Sequence, residues 1–93
     1  MTLEEMETAF ERHDDQYLKK PNGENRRDID AFNLIDALLP IEGDLISCAE
    51  HDEFWLSTDP ESLAALIEED AIIFLIQCGV RYDADTQSFA FFA

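Results

Sequence analysis

The residues best equipped for chemistry lie between positions 48 and 53, where Cys48 precedes Glu50-His51-Asp52-Glu53. A thiol, an imidazole and several carboxylates at that spacing suggest a metal clip or a Cys/His nucleophilic pair. Both fail on elementary grounds. A reactive thiolate needs positive surroundings to lower its pKa, and the neighbours here are carboxylates, which oppose it. A structural zinc site needs four ligands in close pairs, yet His13, Cys48, His51 and Cys78 are the only Cys and His residues, and only Cys48 and His51 are near each other. The segment reads instead as a polar turn before a strand, with Cys48 a small core residue. Asp83-Ala84-Asp85 resembles the start of a calcium loop, but Ser88 stands where the sixth-position glycine belongs, so these are hairpin-turn acids. Glu68-Glu69-Asp70 is a run of adjacent acids with nothing to split their pKa values for acid/base work. There is no phosphate-cradling glycine loop, no G-x-S-x-G and no basic patch with interleaved aromatics. No catalytic, metal-binding or cofactor-binding residue is therefore expected, and the chain is not expected to be an enzyme.

What remains is charge. The chain holds 22 Asp and Glu against 6 Lys and Arg, a formal net charge of -16 on 93 residues. That excess goes well beyond the ~2 to 8 charges that solubility requires, and its self-repulsion costs stability. It argues against direct nucleic-acid binding, which needs basic charge to displace counterions, and against an anionic membrane surface. Placement is uneven. Residues 1–27 carry 7 acids and 5 bases, whereas residues 28–93 carry 15 acids and only Arg81. Glu4, Glu7, Glu11 and Asp14 recur at three and four residues, which on a helix sets anions along one flank at about 5 to 6 Å intervals. Such a row can stand in for a nucleic-acid backbone and occupy the basic groove of a nuclease, restriction enzyme or CRISPR effector. Glu50, Asp52 and Glu53 are the second candidate cluster for contact with a basic protein surface. A solvated face is the plain alternative for any one helix. Adaptation to high salt is another, and the large Ile, Leu and Phe core positions speak against it. In size and composition, without a shared motif, the chain is similar to DNA-mimicking phage antagonists and to acidic immunity proteins of nuclease toxins.

These residues need a scaffold, and the sequence predicts one domain over residues 1–93. Thr2 and Glu5 form a capping box, and Leu3, Met6, Phe10 and Tyr17 give a helical stripe running to about Leu18. Lys19 to Arg27, with four bases, a proline and a glycine, reads as a loop. Asp28 is a candidate N-cap for a deep-seated helix carrying Ile29, Phe32, Ile35, Leu38 and Leu39, closed by Pro40. Leu45–Ala49 and Phe54–Thr58 read as strands, and Asp59-Pro60-Glu61 opens a further helix. Ala71–Ile76 is apolar at every position, so periodicity cannot distinguish helix from strand; the acids before it and Gly79 after it favour helix. Val80–Asp83 and Ser88–Phe92 form a C-terminal hairpin.

The expected fold class is α+β, about four helices on one face of a small, mostly antiparallel sheet of three to four strands. Phe89 and Phe91 fall on one face of the last strand and Phe92 on the other. That pattern, with Trp55, raises the alternative of a self-associating accessory domain, a homodimer through Phe89, Phe91, Phe92 and Trp55 whose acidity serves solubility only. Cys48 and Cys78 are expected to be reduced and largely buried, with a disulfide between them the minor alternative. No run approaches the ~18 apolar residues of a spanning helix, and the acidic N-terminus lacks a signal peptide's positive flank, so a cytoplasmic location is expected.

Overall fold

The computed structural model describes residues 1–19, 27–50 and 53–92, with Arg27, Asp28, Glu50 and Phe92 described by backbone alone. Helix α1 spans Leu3–Arg12, α2 Arg27–Leu38, α3 Pro60–Ala64 and α4 Glu69–Cys78; strands β1 to β4 span Ile46–Glu50, Glu53–Leu56, Val80–Asp83 and Ser88–Phe92. The four strands form one antiparallel sheet in the order β1-β2-β4-β3, so the α+β class and the C-terminal β3–β4 hairpin are present as expected.

Local chemistry accounts for most boundaries. Thr2 accepts the Glu5 N–H at 3.1 Å while the Glu5 carboxylate accepts the Thr2 N–H at 2.8 Å. The hydrogen bond from the Thr2 N–H foremost, with the Thr2 hydroxyl second, holds the Glu5 carboxyl below its ordinary value. Asp59 caps α3 by accepting the Ser62 N–H at 3.1 Å, and Pro60 takes the first helical position, where its missing N–H is no loss. The apolar run 71–76 is helical, and Gly79 ends α4 in the left-handed conformation at φ 99°.

Three expectations about the helices are corrected. The first helix ends at Arg12, not near Leu18; Asp14–Gln16 form a single 3-10 turn, and Leu18 turns back at φ 62° to donate its N–H to the Ile76 carbonyl at 3.1 Å. Asp14 and Asp15 would sit unfavourably on the negative end of a longer helix, and aspartate is a poor helix former. Asp28 is the second residue of α2 rather than its cap. Nor does α2 lie deep: among its described side chains only Ala31 and Ile35 are fully buried and Ile29 is 45% exposed, because Asn33 and Asp36 give the helix a solvated face and leave one stripe for the core. The predicted loop falls mostly on residues 20–26, outside the described residues.

The core lies between the four helices and one sheet face. Phe89 and Phe91 on β4, Val80 on β3 and Leu56 on β2 meet Met6 and Phe10 of α1, Leu63 of α3 and Ile72, Leu75 and Ile76 of α4. Phe10, Tyr82 and Phe89 form an aromatic triangle with centroids 5.5 to 6.4 Å apart, which ties α1 to the hairpin. Phe32 extends the layer at 5.7 Å from Phe91. Phe89 is fully buried and Phe91 nearly so, under helices, which removes both from the expected self-association surface. Cys78 is buried but Cys48 is exposed on edge strand β1, and both thiols are free. Cys48 is opposite Trp55 on the sheet face away from the core, past a register shift between Ile46 and Cys48, and so is not a core residue. No helix among the described residues is long and apolar enough to cross a membrane.

Candidate partner-binding site

Of the seven carboxylates expected at the contact, those whose side chains are described are divided by the fold. Glu4, Glu7 and Glu11 project from α1, and Asp14 continues the flank from the 3-10 turn. Of these, Glu7, Glu11 and Asp14 line one hollow of about 680 Å³ between the α1 flank and β3. Glu4 lines a separate, smaller hollow with Glu5, Arg12 and Glu69. Glu53 is committed elsewhere: its carboxylate pairs with Arg81, reaching over β4, whose Ala90 stands opposite Arg81 with only a methyl in the way. Glu50 is opposite Glu53 at the end of the β1–β2 ladder, its side chain outside the description, and His51 and Asp52 lie outside the described residues.

Among the described residues no base pairs with the carboxylates of Glu4, Glu7, Glu11 or Asp14; the ion pairs there are Arg12 and His13 with Glu69, and Arg81 with Glu53. Arg12 Nη1 is 3.2 Å from Glu69 Oε1, and His13 Nε2 is 3.1 Å from Glu69 Oε2. These contacts tie the end of α1 to the first turn of α4. The His13 hydrogen bond, helped by Arg12, holds the Glu69 carboxyl below its ordinary value. The run Glu68-Glu69-Asp70 is thus partly structural.

The floor of the first hollow was not foreseen. Phe10, Tyr17, Ile76, Val80 and Tyr82 line it beneath the acids. Burial raises the Tyr82 phenol above its ordinary value, and the Glu7 carboxylate pushes it the same way. The alternation of β3 places Val80 and Tyr82 on the core face and Arg81 on the other, a signal readable from the hairpin but not from the α1 charge pattern. Tyr17, grouped from its spacing with the α1 stripe, reaches the hollow only because the chain turns after Arg12. Among the described residues no three His, Cys, Asp or Glu side chains converge as metal ligands. Comparison with known protein families, curated proteins and solved structures yields no match to this chain.

Proposed function

We propose that this protein is a non-enzymatic acidic binding module that docks its α1 flank on the basic surface of a nucleic-acid-handling protein, as an inhibitor that takes the place of a nucleic-acid backbone. The observation that carries this reading is the placing of Glu11 in the last turn of α1 and Asp14 just beyond it. Anions there face the negative end of the helix dipole, the least favourable position on the element, and no described base forms an ion pair with them, Arg12 of the same turn being held by Glu69. Together with a net charge of -16, this is charge kept against a stability cost. Glu4, Glu7, Glu11 and Asp14 steer association and set register; Glu50, Asp52 and Glu53 form the secondary contact, with Glu53 already bound to Arg81.

The test is DNA cleavage by purified basic nucleases, a restriction endonuclease and a CRISPR effector among them, with the chain added at about 50 and about 200 mM salt. Inhibition competitive with DNA is expected, weaker at the higher salt. It should be lost in Glu7→Gln/Glu11→Gln/Asp14→Asn and retained in Glu42→Gln/Asp44→Asn, whose acids are exposed in the connection between α2 and β1. Inhibition unaffected by salt, or equal in the two variants, contradicts the reading.

A further inference from the structure

Beyond a generally basic partner, the shape of the flank specifies one side chain. We propose that the hollow between α1 and β3 receives an arginine of the partner protein, an assignment that rests on the docking reading above and sharpens it.

Three features converge. The hollow's volume, about 680 Å³, lies within the ~300 to 1,000 Å³ typical of ligand pockets, more than a point contact between surface charges would need. Its rim carries Glu7, Glu11 and Asp14, three acceptors without a described basic partner. Its floor is lined by the half-buried rings of Tyr17 and Tyr82, with Phe10 almost wholly buried beneath them. Phe10 and Tyr82 are held within the aromatic triangle, so two of these rings are pre-positioned. Arg81 also borders the hollow, yet its guanidinium is drawn to Glu53 on the opposite sheet face and leaves the rim negative.

An arginine answers all three features. Its alkyl stem covers apolar floor, its planar guanidinium stacks on aromatic faces, and its fork of N–H donors matches carboxylate oxygens. Lysine satisfies the charge but is a compact, strongly hydrated point that stacks poorly. The source is a polypeptide rather than a free cation because the hollow runs along β3, an edge strand of the sheet, where an extended segment can lie beside the backbone while its arginine turns inward.

The experiment titrates the isotopically labelled chain with the blocked tripeptide acetyl-glycyl-arginyl-glycine amide, with its lysine and citrulline counterparts, and with methylguanidinium, following amide shifts by NMR. Shifts from the arginine peptide are expected to concentrate in residues 7–17 and 76–84, with the lysine peptide about fivefold weaker and citrulline silent. Glu11→Gln/Asp14→Asn should weaken the arginine peptide about fivefold or more, and Tyr17→Leu should narrow the preference for arginine over lysine. Glu42→Gln/Asp44→Asn should change little, and each variant's own amide spectrum reports whether it is folded. Shifts spread over every exposed acid, parity between arginine and lysine, or methylguanidinium binding as tightly as the peptide each overturn the proposal. The two readings fail separately: arginine in the hollow without nuclease inhibition refutes the nuclease target alone, and nuclease inhibition without arginine in the hollow refutes only this assignment.

Discussion

Gly79 shows how much a single position decides. It closes α4 at φ 99°, and a β-carbon there would stand 2.8 Å from Leu18 Cδ2 and 3.6 Å from Phe91. Leu18 is 45% exposed and can swing aside, so the backbone strain rather than the clash sets the cost. Gly79→Ala should destabilise by about 1 to 3 kcal/mol, measured as a lower denaturation midpoint with an unchanged slope. A variant as stable as the parent would show that the left-handed cap is not needed. Glu69 makes a prediction of opposite character. Its carboxyl is held below the ordinary 4.5, chiefly by His13, so its contribution is present above that value and fades as pH falls through the folded pKa. Glu69→Gln should therefore be less stable than the parent at pH 7, with the two denaturation curves converging on acidification below about pH 4.5. A gap that stays constant with pH would mean that the α1–α4 tie is not carried by this charge.

Elements, by contrast, stand or fall on their ends. Helix α3 spans only Pro60–Ala64, too short to persist on propensity, so its cap matters disproportionately. Removing the Asp59 acceptor by Asp59→Ala should cost about 1 kcal/mol, and Asp59→Asn, which keeps an acceptor, well under half of that. Equal losses in chemical denaturation would assign the effect to charge rather than capping. Ends of this kind were legible in the sequence because they are local. Thr2 with Glu5, Asp59 with Pro60, and the glycine after an apolar run each state their role within a few residues. What the sequence hid was tertiary. Nothing near Arg12 says that the chain will turn so that Leu18 can donate to Ile76, and nothing in β1 says that Cys48 faces away from the core. The candidate site divides the same way. The Glu7–Glu11 spacing was readable from helix geometry, but the hollow exists only where that flank meets Tyr82, which is 71 residues from Glu11 along the chain.

At the scale of the whole molecule, the question is whether the anions are costly where they stand. A chain of net charge -16 repels itself, and screening should relieve it: the Debye length falls from ~30 Å at 0.01 M salt to ~8 Å at 0.15 M. Thermal stability should rise over that range by an amount on the order of 1 kcal/mol, equivalent to about 4 to 8 °C for a domain of this size. The acid flank allows a sharper form of the test. If Glu11 and Asp14 oppose the α1 dipole and Glu7 adds to their mutual repulsion, then Glu7→Gln/Glu11→Gln/Asp14→Asn should melt above the parent at low salt, and the difference should shrink as salt is added. Stability gained by removing the residues assigned to binding is the signature of a surface held for function at the expense of folding. A triple variant that melts below the parent at low salt would mean that these carboxylates support the fold and are not kept at its expense.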